Sequence, residues 1–343
     1  MIATVRKAIL YASLTAALFL SGLFVIFTPL PLTTLLARGR RWRAASAALL
    51  AIGIIAGLYV LLFGWISAAA PRVAWLTSVL PFPGVSVELV FGRSAGIAFA
   101  ATYFGMFLAT AWAIGEGLCR QWRPERITGG ALLAVFGCLA VALAAARFLG
   151  GVEIWQGAQT YFTALATQFI DLQARGGLAP DEVAVLRSHV PMVVQSAVRI
   201  LPALAWTTGL YIAVLNLIGA RFLLCRSAAM QHVPPFRTYR APFGWIWLLI
   251  GAGFAFIADH WVFRTGWLAT IGLNGIGVGC SVVFLQGLAV THAVLMRWPL
   301  WWKWIGYALL VLWIHVAIPA LVVIGIADAW IDVRGRWTTR RVS

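Results

Sequence analysis

The stretch LATIGLNGIGVGCSVVFLQGLAVTHAVLM, residues 268–296, decides what kind of chain this is. It runs for about 29 residues without a formal charge, against the roughly 20 that a helix needs to cross the hydrocarbon of a bilayer. It is a membrane span. Gly275 and Gly279 lie one turn apart, and Val282, Val283 and Gln286 carry the same helical face onward, so a neighbouring helix can approach closely and meet one amide. Asn274, Ser281 and Leu285 form an adjacent stripe. A helix facing lipid has little use for a glycine seam or for amides, so this one is expected inside a bundle, packed on more than one side.

Composition agrees. Of 343 residues 62% are hydrophobic and only 10% charged, and the mean hydropathy of +0.92 lies outside the range of soluble domains. The formal net charge of +16 raises the question of nucleic acid. The basic residues instead cluster just beyond apolar runs, as the positive-inside rule requires, and nucleic-acid binding is not expected. Trp42, Trp65, Trp122, Trp245, Trp298, Trp301, Trp302 and Trp304 fall near span ends, where amphipathic rings settle at the headgroup level. Cys119, Cys138, Cys225 and Cys280 stand far apart, with no CxxC and no histidine at ligand spacing, so they say little about redox compartment. No cleavage site follows the apolar run after Arg6 and Lys7, and the first span is read as retained.

Taken in order, Ala8 to Phe27 reads as the first span, with a cytoplasmic N-terminus. Thr28-Pro29-Leu30-Pro31 then breaks the helix, because proline lacks a donor and restricts the residue before it. Leu30 to Ala37 is too short to cross before Arg38, Arg40, Arg41 and Arg43, and is expected as a returning helix. At membrane depth such an element needs protein or a water-lined cavity over its loose backbone groups, which makes it a pointer to a cavity. Ala44 to Gly64 crosses next, with Gly53 and Gly57 in small-xxx-small spacing. Trp65 to Arg93, interrupted by Pro71, Pro81 and Pro83, is placed outside. Ser94 to Leu118 and Ile127 to Leu149 cross in turn.

Gly150 to Val190 is the one long polar interval. Ile154, Ala158, Tyr161, Phe162, Leu165, Phe169 and Leu172 repeat at helical period, opposite Gln156, Gln159, Thr163, Thr167 and Asp171. This amphipathic helix is expected to cover the outer mouth of the bundle, since its polar face lacks the cations that grip anionic lipid. A second helix is expected from Pro180-Asp181-Glu182, with proline near the first position and acids at the positive end of the dipole. Pro191 to Ile218, Phe243 to Ala258, Leu268 to Met296 and Trp301 to Ala327 complete the set. The chain is therefore all-α, a polytopic bundle of about eight spans plus a short proline-broken helix. Residues 1–149, 150–190 and 191–343 form the N-terminal helices, the external segment, and the C-terminal helices with a basic tail. Counting the short hairpin gives nine crossings, which would put Arg334, Arg336, Arg340 and Arg341 outside, against the charge rule. One crossing is miscounted, and residues 65–93 or 272–279 are the expected places.

Few residues invite chemistry. Gly92-Arg93-Ser94-Ala95-Gly96 has the GxSxG form, but it opens an apolar span with no strand before it, and Ser94 reads better as a helix cap. His189, His232, His260, His292 and His315 show no zinc spacing. His315 falls mid-span, where hydrogen bonding to a neighbouring helix competes with a proton-relay or ligand role. Arg199 could hold an anionic group or snorkel to the interface, and Glu116 is expected to pair with Arg120. Asn216, Asn274 and Gln286 would either bridge helices or line a ligand pocket. Asp328 and Asp332 invite a paired-carboxylate reading but read better as a solvated helix end or docking segment, with Asp332 and Arg336 in favourable order.

The pieces Arg199-Ile-Leu-Pro202-Ala-Leu, Asn216, Gly272-Leu-Asn274, Phe284-Leu-Gln286-Gly287-Leu-Ala-Val290 and Gly325-Ile-Ala-Asp328-Ala-Trp330-Ile-Asp332-Val-Arg334 resemble the YybS-like family of multi-pass bacterial membrane proteins. That family is a domain of unknown function, distantly similar to the substrate-binding S components of energy-coupling-factor vitamin transporters. The resemblance implies a bacterial inner-membrane protein with a small-molecule pocket. On this reading the chain is a non-enzymatic, transporter-type bundle without metal or cofactor, whose binding residues are Arg199, Asn216, Asn274, Gln286 and His315. It lacks a Walker A motif, so active uptake would need an energising membrane partner. The competing expectation is a scaffold or accessory subunit of a larger complex.

Overall fold

The computed structural model describes residues 2–22, 24–58, 61, 93–148, 151, 153–225, 227–332 and 334. Every regular element among them is helical: α1 Ile2–Leu20, α2 Pro29–Ala37, α3 Arg41–Leu58, α4 Arg93–Cys119, α5 Pro124–Phe148, α6 Ile154–Arg175, α7 Pro180–Arg199, α8 Leu201–Leu223, α9 Gly244–Ala258, α10 Trp267–Leu295, α11 Leu300–Leu312 and α12 Ile314–Ile331. Seven of these stretches are long and apolar enough to cross a membrane, namely α3, α4, α5, α8, α9 with its π-turn to Phe263, α10 and α12. An all-α, multi-pass bundle is the result.

The chain forms two compact units, one of Met1–Val198 with Thr208–Val233, the other of Arg199–Thr207 with Pro234–Ser343. Helix α8 thus starts in the second and ends in the first. These units divide the chain on a different criterion from the three segments drawn along the sequence.

In the first unit, α2 is the peg around which the rest packs. Proline at its first position suits the helix start, where the missing donor costs nothing, and eight of its nine residues are buried. At about 13 Å it cannot cross a bilayer. The span expected at Ala8 to Phe27 accordingly stops early. Helix α1 ends at Leu20, Gly22 turns the chain at a φ of 66°, and a short 3-10 turn, Val25–Phe27, leads into α2. Leu32, Leu35 and Leu36 of α2 join Ala12, Ala16 and Phe19 of α1 and Phe104, Phe107 and Ala111 of α4. Leu36 lies over Gly115 and Leu30 over Gly219, close enough that a Cβ on either glycine would crowd the leucine. Helix α3 enters this core through Ala44, Ala47, Ala51 and Ile55. Gly53 and Gly57, expected to make that seam, have no neighbour within 4 Å among the described residues. The small-residue contact exists, but alanines on another face of the helix make it.

Helix α6 runs as the amphipathic pattern requires, and α7 opens at Pro180 with Asp181 and Glu182 in its first turn. The Asp171 carboxylate accepts from the Arg187 guanidinium at 2.9 Å and ties the two together. Pro191 does not start a new helix but lies inside α7, and the break falls at Ile200.

In the second unit α10 is one continuous helix of 29 residues, with no interruption between Gly272 and Gly279. Its glycines open on several sides. Gly272 and Gly275 meet Ala252 of α9, Gly279 meets Leu249, and Gly277 meets Ala203 of α8. Gly287 and Gly325 cross most tightly, because a Cβ on Gly287 would overlap the Leu321 carbonyl and one on Gly325 would overlap the Val283 carbonyl.

The span read at Trp301 to Ala327 is two helices, broken at Trp313, where φ is −106° and ψ 38°. Near the start of the pair, the Tyr307 hydroxyl lies 2.6 Å from His292 Nδ1, and the His292 ring packs on Phe236. Near its end, Asp332 pairs with Arg240 at 2.8 Å and Arg334 donates to the Arg237 carbonyl at 2.9 Å. Both ends therefore return to the segment before α9. Of the two places expected to hold a miscounted crossing, residues 272–279 are regular helix, and residues 65–92 lie outside the described residues.

Gly287→Ala should lower stability by about 1–3 kcal/mol through overpacking against backbone, whereas Gly53→Ala should be neutral or mildly stabilising. Unfolding of the purified protein in detergent measures both; equal effects would overturn the packing just described.

Candidate functional site

The three amides singled out in the sequence do not converge. Each instead meets a place where helical backbone stops, and that is what their chemistry suits: an amide supplies a donor and an acceptor to groups that have lost their intrahelical partners.

Asn216 is fully buried in the first unit and donates through Nδ2 to the carbonyl of Ile26 at 2.7 Å, in the turn before α2, and to Ile212 at 2.7 Å. Its Oδ1 is buried without a partner, as is the hydroxyl Oγ1 of Thr33 on α2. The other hydroxyls in this core turn back on their own helices, Thr15 to the Tyr11 carbonyl, Thr34 to Pro31 and Thr110 to Met106. His232, in the loop after α8, has both ring nitrogens buried and unpaired. Arg221 reaches into the same loop and donates to the carbonyls of Met230 and Val233, an anchor with no signal in residue spacing.

Asn274 spans the α7–α8 break. Its Oδ1 accepts from the Ala203 N–H at 2.8 Å, and its Nδ2 donates to the Arg199 carbonyl at 2.8 Å. Arg199 enters this arrangement through its backbone, as the last residue of α7.

Gln286 is the hub of the second unit. Its Oε1 accepts from Ala241 N–H at 3.1 Å, ahead of α9, and its Nε2 donates to Asp328 Oδ2 at 3.0 Å. Asp328 also accepts from the Arg334 guanidinium at 2.7 Å, and their side chains are 1% and 13% exposed. The reading of Asp328 as a solvated helix end is corrected here: it is a buried carboxylate, paired six residues on. Asp332 adopts a left-handed conformation with φ 47°, which ends α12 and lets Arg334 fold back. Asp332 itself pairs with Arg240. Arg336 lies outside the described residues.

A further carboxylate, Asp259, is buried at the turn of the α9–α10 hairpin. It accepts from the N–H of Thr265 at 3.1 Å, from the Thr265 hydroxyl, and from the N–H of Gly266 at 2.8 Å. Hydrogen bonds from the chain entering α10, at the positive end of that helix, replace the cation it lacks. His315 is exposed in the first turn of α12, beside Trp313, and not mid-span. Glu116 makes the expected pair with Arg120 at 2.6 Å and a second with Arg41 at 2.7 Å. Ser94 follows Arg93 inside the first turn of α4. No cluster of three or more metal-ligating side chains occurs among the described residues.

Gln286→Leu strands the Ala241 donor and one Asp328 contact, and is expected to cost on the order of 1 kcal/mol. Arg334→Met leaves a buried carboxylate without its cation and should cost more, about 3–5 kcal/mol. Denaturant unfolding ranks the two; the reverse order would show that Asp328 is not held by Arg334.

Residues 79–329 match the family described as predicted membrane protein (DUF2232), and the chain belongs to that family. No curated protein and no solved structure matches it.

Proposed function

We propose that this member of the family is a non-enzymatic, transporter-type bundle of the bacterial inner membrane, with a cytoplasmic N-terminus, that holds a small polar molecule beside α2 in the first unit. The observation that carries the reading is the state of α2. A nine-residue, proline-started helix is almost wholly buried, and Thr33 Oγ1 and Asn216 Oδ1, both buried in that unit, have no hydrogen-bond partner. Buried polar groups without a partner are rare in folded proteins and cost about 1–3 kcal/mol each. A ligand that supplies a donor to either one recovers that cost. The proposal centres on Asn216 of the expected binding set, because the Asn274 and Gln286 amides are engaged in joining helices and His315 is exposed. No Walker A motif occurs in the sequence, so uptake against a gradient would rest on an energising partner.

A second reading, a scaffold or accessory subunit, is favoured by the α6–α7 pair, where Phe169, Met192 and Val193 are each more than half exposed. Large apolar side chains presented in this way suit contact with another protein.

Thermal unfolding of the purified chain against a panel of metabolites and vitamins tests the first reading. A ligand present at about a hundred times its Kd should stabilise by roughly 2.7 kcal/mol. Thr33→Val, which keeps the shape and removes the hydroxyl, should reduce that shift while leaving the unliganded midpoint nearly unchanged. No shift with any compound, together with recovery of a stoichiometric membrane partner that is lost on deleting residues 150–190, would replace it by the second.

A further inference from the structure

Five cations of the second unit lie toward one end of it. Arg237 and Arg240 precede α9, Arg297 and Lys303 flank the start of α11, and Arg334 follows α12. The His292–Tyr307 hydrogen bond, the Phe236–His292 ring contact and the Arg334 bond to the Arg237 carbonyl bring these segments together. Against five cations stand two carboxylates, Asp328 and Asp332, and each already has its arginine, Arg334 and Arg240. The unit's remaining carboxylate, Asp259, is consumed at the N-terminal end of α10. Among the described residues this end holds more cations than carboxylates, and Arg237 and Lys303 form no ion pair there.

It is also aromatic. Trp301, Trp302 and Trp304 are more than half exposed, and Trp298 is 44% exposed, while α11 buries none of its residues. Indole rings of this exposure beside lysine and arginine match the headgroup level of a bilayer, where one side of the ring is apolar and the N–H is wet. Helix α11, at 13 residues and about 20 Å, is too short to cross the hydrocarbon. With α12 it leaves this end and comes back to it.

We propose that this corner is a seat for anionic phospholipid headgroups, formed by Arg237 and Lys303 and framed by the tryptophans of α11. Charge complementarity selects a phosphate-bearing, net-negative headgroup over a zwitterionic one. The apolar, outward surface of α11 selects a lipid over a soluble phosphate, because the acyl chains cover what the indoles leave bare. The seat is independent of the ligand proposed beside α2, and the two fail separately.

The test is reconstitution of the full chain into nanodiscs of phosphatidylcholine alone or with phosphatidylglycerol, reading lipid retention by native mass spectrometry and the unfolding midpoint. The wild type should retain phosphatidylglycerol selectively and melt higher in its presence. The double variant Arg237→Gln, Lys303→Gln should weaken that retention by roughly thirtyfold, on the basis of two basic side chains at an anionic surface. Arg175→Gln, on α6, should behave as wild type. Lys303→Glu alone, in the exposed first turns of α11, provides the reading if the double variant fails to fold in phosphatidylcholine. Equal retention by wild type and the Lys303 variants would overturn the proposal. So would displacement of the lipid by millimolar glycerol 3-phosphate, which would mark a soluble-phosphate site instead.

Discussion

A bilayer offers no water to a backbone, so every N–H and C=O at membrane depth must find its partner in protein. An unbroken helix meets that demand by itself, and this chain keeps breaking its helices. It stops between Leu20 and Pro29, at Ile200, ahead of Gly244 and at Trp313. What allows three of these breaks is a side-chain amide from a distant part of the sequence. Asn216 answers the carbonyl of Ile26, Asn274 answers Arg199 and Ala203, and Gln286 answers Ala241. Asp259 does the same with a carboxylate where the chain enters α10. The polar side chains of the apolar helices are thus placed by the backbone's needs, and the fold would lose its breaks if they were apolar.

Packing follows from the same breaks, by a different route in each unit. In the first, a short helix that cannot reach across the membrane is driven between longer ones, and leucines fill it. Glycine appears opposite those leucines, at Gly115 and Gly219, as room for the peg. In the second, no peg is present and backbones approach directly. Gly272, Gly275 and Gly287 of α10 and Gly325 of α12 give up their side chains so that helix surfaces touch. Dispersion between closely packed backbones is the main attraction left between helices when the solvent is as apolar as leucine. The Gln286–Asp328–Arg334 chain sits beside the Gly287–Gly325 crossing, so the closest approach and the most buried polar network fix each other.

Much of this was legible in the residues. The uncharged run at 268–296 and the Pro180 start carry strong local signals that the structure keeps, while Pro29 and Pro31 mark the start of α2, the preceding helix having already stopped at Leu20. The break at Ile200 is marked only by Pro202 in the first turn of α8, and the break at Trp313 by nothing, since tryptophan does not stop helices, while Pro191 and Pro319, which should, lie inside α7 and α12. Glycine spacing located α10's seam at Gly275 and Gly279, whereas Gly53 and Gly57 meet nothing within 4 Å among the described residues, since spacing says a close approach is permitted, not that a helix is there to make it. The pairing of Asp328 escaped for a related reason. Neighbour rules on a helix surface hold only while the helix continues, and the left-handed turn at Asp332 brings Arg334 back to a carboxylate that helical spacing would have kept apart.

The distinction between engaged and unengaged polar groups also bears on where a ligand could act. A molecule seeking Asn274 or Gln286 would have to displace bonds to backbone groups that have no other partner, losing as much as it gained. Thr33 Oγ1 and Asn216 Oδ1 are under no such obligation, and the Asn216 side chain can accept at its oxygen while its nitrogen still holds Ile26. Occupancy there would tighten the turn that leads into α2, because the same amide would be held at both ends. Binding and the ordering of the helix break are then one event, and a ligand would act on the first unit by stabilising the very irregularity that its short helix introduces.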